Sequence, residues 1–398
     1  MPNSTLAPIT TPHADRDALK ILLGGMLGMV VAMGIGRFAF TPILPLMQRD
    51  LGLSNTVAGG LAGFNYLGYL IGALACTMRP QLLRNRIATG SALLVSIGST
   101  LLMGMTVSPS WWGLLRFGGG IASAVLFIVI SAEVAEALNR RGFGHWIGAL
   151  YGGIGIGIAL SGLSVPLLDD LGGWAGSWLG MGLLAAFCAA LGIGLGRRRH
   201  LVQDVHIDTS PKTGSLRSIG PLAVAYVFEG LGYIVTATFL VAIIAHTPGL
   251  EDFAPYSWVA VGLAALPSTL FWPKLARRIG SKSALLCAFA LQGAGILVSI
   301  GANSVGAVLF AAITFGGTFL GIVAMTLAEG SRRAPHDSRR ATAILTVCFS
   351  LGQMLGPVLA GILADMRAGF TLPLLLATAC IVCGSLFIAF DRNFHAPN

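Results

Sequence analysis

Twelve apolar stretches, most of them at least the ~20 residues that an α-helix needs to cross a bilayer, follow one another along this chain. They run over 21–46, 57–78, 87–106, 111–137, 145–168 and 174–195, then over 219–246, 256–275, 284–301, 305–329, 341–364 and 370–390. In hydrocarbon every backbone N–H and C=O must be bonded within the protein, which leaves helices or closed barrels. Barrel strands are short and alternate apolar with polar residues, and these stretches do neither. The sequence therefore predicts an all-α integral membrane protein with twelve transmembrane helices. Composition agrees: 10% of the residues are charged, against about 25% in a soluble domain, and the mean hydropathy is +0.80. A soluble enzyme, a disordered chain and a disulfide scaffold are excluded.

The net charge of +9 does not point to nucleic acid, because the basic residues sit in short clusters between apolar stretches. Of the 25 Lys and Arg, all but Arg37, Arg49, Arg116 and Arg367 fall in segments on one side of the predicted topology. Arg49 and Arg367 lie in loops on the other side, which carry Asp169, Asp170, Glu251 and Asp252. The positive-inside rule predicts that both termini are cytoplasmic. No signal peptide is expected: residues 1–19 are polar, and the apolar stretch that follows is too long for a signal core. The predicted organisation is a tail over 1–19, a six-helix bundle over 20–196, a basic connection over 197–217, a second bundle over 218–391 and a tail over 392–398. The bilayer is the implied surrounding, and the chain is read as a monomer.

The two bundles resemble each other. Gly34-Ile-Gly36-Arg37 parallels Gly230-Leu-Gly232-Tyr233, the segment from Arg86 to Leu94 parallels Arg278 to Leu286, and Phe117-Gly-Gly parallels Phe315-Gly-Gly. The offsets stay between 192 and 198 residues, the mark of a duplicated unit. The halves are therefore pseudo-symmetric.

Two six-helix halves joined by a basic connection resemble the major facilitator superfamily. The segment Gly36-Arg37-Phe38-Ala39-Phe40-Thr41-Pro42-Ile-Leu-Pro45-Leu-Met47, followed by Asn65-Tyr66-Leu-Gly68-Tyr69, is similar to its bacterial YbfB/YjiJ-type branch. Arg116-Phe-Gly-Gly-Gly120 resembles the fourth-helix Arg/Gly motif, and Pro273 to Lys282 the basic loop between helices eight and nine. Two departures stand out. Arg277 occupies the place where the loop motif carries an Asp, and helix five lacks the Gly-Pro pair of antiporters. The resemblance implies a secondary transporter of a small-molecule solute in a bacterial inner membrane, without choosing symport or antiport.

Charged groups inside hydrocarbon cost roughly 2.5–3.5 kcal/mol on insertion scales, which marks them as functional candidates. Arg37 falls near the middle of the first span, where transporters of this architecture bind solute, and a guanidinium there suits a carboxylate or phosphate. Structural pairing with helix carbonyls or an acid is the alternative. Phe40, Asn65, Tyr66, Tyr69, Tyr151, Tyr233 and Gln353 are the other predicted solute contacts, with Tyr226 beside them; for the polar ones, interhelical hydrogen bonding is the competing role. Glu229 lies one turn before Tyr233. A carboxyl moved between hydrocarbon and water exchanges a proton, so Glu229 is the predicted coupling residue, or else a counter-ion to Arg37 or Arg116. Arg116 is a second coupling candidate through its motif, with snorkelling as the alternative. Glu133, Glu329, Arg277 and Arg278, at helix ends on the basic side, are candidate gating residues or simply solvated ends. Trp111, Trp112, Trp174 and Trp178 read as interface anchors.

Other signals carry no chemistry. Tyr151-Gly-Gly-Ile-Gly-Ile-Gly157 lacks nucleotide-loop spacing, and small residues in an apolar span let helices pack closely. There is no GxxxxGK[ST] loop, and no metal-ligand or nucleophile–base spacing, so neither enzyme activity nor a cofactor is expected. The predicted function is proton-coupled transport of a small organic solute, anionic or amphipathic, by alternating access. Broad-range export of hydrophobic compounds is the alternative.

Overall fold

A computed structural model describes residues 12–196, 216–335 and 337–394. The first crossing is broken in the middle. Helix α1 (Pro12–Met29) passes into a π-helical turn (Val30–Ile35) and an irregular turn over 36–39 before α2 (Phe40–Leu51) resumes. Helices α3 (Asn55–Met78), α4 (Arg86–Met103) and α5 (Pro109–Asn139) cross next, and a short α6 (Ile147–Leu150) leads into α7 (Gly152–Gly196). In the second half follow α8 (Gly220–Ala245), α9 (Ala254–Ile279), α10 (Ser281–Ser299), α11 (Val305–Arg333), α12 (Ser338–Met366) and α13 (Thr371–Phe390).

Helix α7 makes two crossings. At Gly173 the backbone takes φ 62° and ψ −158°, a region that a side chain disfavours and glycine accepts. The chain folds back there. A Cβ on Gly180 would meet the Leu168 side chain, twelve residues away, a separation of ~18 Å in a straight helix. Eleven continuous stretches among the described residues are long and apolar enough to span a membrane, and the break in α7 divides one of them. Twelve crossings result, as the hydrophobic pattern predicts.

Residues 197–215 of the connection, the tail residues 1–11 and 395–398, and Arg197–Arg199 lie outside the described residues. Residues 12–19 belong to α1, so that helix starts before the predicted span.

The halves meet along α3 against α12 and along the first arm of α7 against α9, with α2 also on α8. Glycines permit the approach. A Cβ on Gly155 would lie 2.6 Å from the Gly262 carbonyl oxygen, and one on Gly262 the same distance from that of Gly155. Gly59 meets the Pro357 carbonyl, and Gly361 meets that of Asn55. Within the first half, Gly34 and Gly157 bring the π-helical turn and α7 together, each Cβ position falling 2.5 to 2.6 Å from the other's Cα. The glycine run of helix five is thus a packing surface. Outside, Ile87, Leu171 and Phe390 are among many exposed apolar side chains, as a lipid-facing surface requires. Trp112 and Trp178 are not interface anchors: both are fully buried, and Trp112 Nε1 donates to the Met103 carbonyl at 3.0 Å.

Candidate functional site: a central cavity with an unpaired arginine

The break in the first crossing positions Arg37. Pro42 has no N–H to give the Phe38 carbonyl, and Thr41 N bonds that carbonyl instead, at 3.2 Å. One turn earlier Gly36 N reaches back five residues to the Val31 carbonyl at 3.0 Å, so the ladder changes register. The carbonyls of Gly36 and Arg37 are left over. Arg116, buried on α5, answers them: Nη1 donates to Gly36 O at 3.4 Å and Nη2 to Arg37 O at 3.3 Å. Its guanidinium lies 4.9 Å from the Phe40 ring centroid. Arg116 therefore braces the broken helix and does not snorkel.

That bracing holds Arg37 at a cavity of about 580 Å³ between the halves. Arg37 is buried, yet Nε and Nη2 have no hydrogen-bond partner among the described residues. The Tyr66 and Tyr69 rings lie 4.4 and 4.6 Å from its Cζ, and the Phe38 ring 5.5 Å. These aromatic contacts stabilise the cation and fix its plane. Across the cavity stand Tyr226 and Tyr233 from α8, Phe319 from α11, and Phe349 and Gln353 from α12. Gln353 Nε2 donates to the Tyr233 hydroxyl, while its Oε1 is buried without a partner. Phe127 adds a further aromatic side chain. The cavity runs to a mouth lined by Arg84, Glu133, Glu136 and Arg339.

Of the predicted solute contacts, Arg37, Tyr69, Tyr233 and Gln353 line this cavity, as does Tyr226. Tyr66 supports Arg37 from behind. Phe40 instead packs against Trp178, centroids 6.4 Å apart. Asn65 donates to the Arg116 carbonyl at 2.9 Å, tying α3 to α5, and Tyr151 packs on Phe127, centroids 5.7 Å apart. Phe38, Phe127, Phe319 and Phe349 were missed; apolar rings in apolar helices give no sequence signal.

Glu229 does not line the cavity and touches neither Arg37 nor Arg116. It is buried inside the second half, where Oε1 accepts from Gln292 Nε2 at 2.8 Å and Oε2 has no partner among the described residues. Thr318 Oγ1 in turn donates to Gln292 Oε1 at 2.9 Å, so one chain of polar groups joins α8, α10 and α11. Nothing in the sequence singles out Gln292.

The gating candidates separate. Glu133 lies at the cavity mouth, whereas Arg277 and Arg278 are exposed at the end of α9. Glu329 is buried and paired with Arg332 and Arg333 at 2.5 and 2.7 Å. Arg333 also reaches Asp391 at 2.6 Å and the Ser218 carbonyl at 2.9 Å, all inside the second half. Arg339 does cross between halves, from α12 to the Thr77 carbonyl at 2.9 Å.

Twelve helices in two halves around a central cavity define a membrane transporter of the major facilitator type. The chain belongs to the family described as uncharacterised MFS-type transporter YbfB, whose model matches residues 29–389. It is 27% identical over 393 residues to the uncharacterized transporter YycB of Bacillus subtilis, 93% of each chain being covered. Its fold matches a point mutant of the nucleoside transporter NupG, with a TM-score of 0.74, 13% identity and coverage of 94% of this chain and 100% of that one. A bacterial homolog of the human lysosomal transporter Spinster, inward-facing and occupied, matches with a TM-score of 0.68, 14% identity, and 98% and 100% coverage. At these identities the matches to solved structures establish the fold alone.

Proposed function

We propose that this protein is a secondary transporter that moves a small organic anion across the bacterial inner membrane by alternating access, coupled to protons. The observation that carries the reading is Arg37, a buried guanidinium at the cavity wall with two nitrogens unpartnered among the described residues. Nε and Nη2 share one edge of the guanidinium, and that edge is closed to solvent and meets no acceptor among the described residues. A buried cation without a counter-ion is costly. A carboxylate or phosphate on the solute, entering the cavity that Arg37 lines, supplies the missing counter-charge through charge-assisted bonds.

The Lys/Arg bias assigns the mouth with Arg84 and Arg339 to the cytoplasm, so this is an inward-open state with both termini inside. The bundles over 20–196 and 218–391 rock about the glycine contacts, with 197–217 as their cytoplasmic connection and 1–19 and 392–398 as tails. Glu133 takes part in closing the mouth. The protein works as a monomer, since each chain holds its own cavity. Glu229 takes the coupling proton: its free Oε2 lies one helical turn from Tyr233, so charge there is sensed at the cavity wall.

The test is binding of acetate, benzoate and phenyl phosphate to the purified protein in nanodiscs, set against amines of equal size. Anions bind, and Arg37→Ala removes that binding. The mostly aromatic wall favours a second reading, export of assorted hydrophobic compounds. Binding confined to such compounds and indifferent to Arg37→Ala would establish that reading instead.

A further inference from the structure

We infer that the solute is a flat aromatic carboxylate, a reading that rests on anion recognition at Arg37 and sharpens it. The wall opposite Arg37 is made of parallel rings. Tyr226 and Phe349 stack with centroids 4.3 Å apart and planes 14° apart. Phe349 and Tyr233 follow at 5.3 Å and 8°, then Tyr233 and Phe319 at 6.1 Å and 8°. Phe315 continues the set behind Phe319, at 5.2 Å and 8°. These rings come from α8, α11 and α12, so three helices of the second half present their aromatic faces in one orientation. An apolar wall built only to exclude water has no need of parallel planes; aliphatic side chains would serve it equally.

The wall is also in reach of the charge. Phe38, whose ring contacts the Arg37 guanidinium, meets Phe319 edge-on at 6.2 Å. A ligand whose carboxylate pairs with Arg37 therefore lays its body against Phe319, Tyr233 and Phe349, which line the same cavity. A planar ring there adds one more member to the stack, with the offset geometry that aromatic pairs prefer. The two recognition elements stand on different halves, Arg37 on the first crossing and the ring wall on α8, α11 and α12. One aromatic acid thus bridges the surfaces that must move together in transport.

Benzoate and cyclohexanecarboxylate separate the two layers of the reading. They share a carboxylate and nearly a size, but the saturated ring is puckered and more hydrophobic. Titration calorimetry on the nanodisc protein should show benzoate binding roughly three- to tenfold tighter, the range that one aromatic pair supplies. Phe349→Leu, which keeps an apolar side chain but removes the plane, should level the two acids while both still bind. Arg37→Ala should weaken both together. Equal affinities, or tighter binding of the saturated acid, with Arg37 still required would overturn the aromatic assignment and leave anion recognition standing. A benzoate preference that survives Phe349→Leu would also overturn it. If neither acid binds, or if binding ignores Arg37→Ala, the anion reading itself falls.

Discussion

Asp365, at the end of α12, caps the first turn of α3 in the other half. Its Oδ1 accepts from Asn55 N at 3.1 Å and from Asn55 Nδ2 at 2.9 Å, and Oδ2 accepts from Thr56 N at 2.8 Å. A helix N-terminus offers unbonded N–H groups and the positive end of its dipole. Here a residue 309 or 310 positions away satisfies two of them, beside Ser54 Oγ, which accepts from Val57 N at 3.2 Å, on the side of the membrane opposite the cavity mouth. The cap therefore exists only while that side is closed.

Breaking it should shift the conformational balance. Ser54 keeps the N-cap position, so the lost Asp365 bonds should cost about 0.5–2 kcal/mol, the scale of one side-chain cap, and 1–2 kcal/mol changes a two-state ratio by about 5–30. Asp365→Ala should raise the outward-open population accordingly. Spin labels at Leu51 and Met366, both exposed near the cap, should report a new long-distance component. An unchanged distance distribution would mean that the glycine contacts of Gly59 and Gly361 hold this side closed without the cap.

At Arg37, charge and shape should separate. Arg37→Lys keeps a cation but lacks the two-nitrogen edge. Anion binding should fall more than about tenfold with Lys and be lost with Ala, since charged hydrogen bonds contribute about 1.5–3 kcal/mol. The melting temperature should move less than it does for Arg116→Ala, because Arg37 Nε and Nη2 have no hydrogen-bond partner among the described residues. Equal affinity for the wild type and the Lys variant would show that charge alone matters.

Arg116 should behave in the opposite way. Arg116→Ala leaves the Gly36 and Arg37 carbonyls unbonded in the membrane interior, and each buried unsatisfied group costs about 1–3 kcal/mol. Melting in detergent should drop by several degrees, with weaker solute binding as Arg37 loses its support. Normal stability of the variant would show that water takes over the two carbonyls.

Much of this organisation was legible before the structure, because the membrane imposes it. Spans of fixed length, loop charge and the repeat gave twelve crossings in two related halves, and Arg37 and Glu229 stood out as charges in apolar helices. What stayed hidden depends on distance in space. The Asp365–Asn55 cap joins residues 310 apart, and Asp391 meets Arg333 across 58. The aromatic wall is unreadable because Phe319 and Phe349 look like any lipid-facing Phe. The break between α1 and α2 had a local signal, Pro42 after Gly34 and Gly36, yet a proline does not reveal which side chain will meet the freed carbonyls. Arg116 was open to two readings in sequence for that reason.

Glu229 supplies the last prediction. Its carboxyl belongs to a chain of hydrogen bonds, Thr318 to Gln292 to Glu229, that ends on the unpartnered Oε2. No charged side chain among the described residues pairs with it, so ionising it in place leaves a lone buried charge, which is expensive. Protonation removes that cost. In the proposed cycle the proton enters when this part of α8 meets water and leaves in the alternate state. Glu229→Gln fixes the group as neutral and keeps the bond from Gln292 possible. In proteoliposomes this variant should still bind the anion and exchange it down its own gradient, but it should no longer accumulate it when a pH gradient is imposed. Gln292→Leu should leave accumulation in place while changing the pH at which it is half-maximal, because it removes a hydrogen bond but not the titrating group. Gradient-driven accumulation that survives Glu229→Gln would exclude Glu229 as the proton carrier.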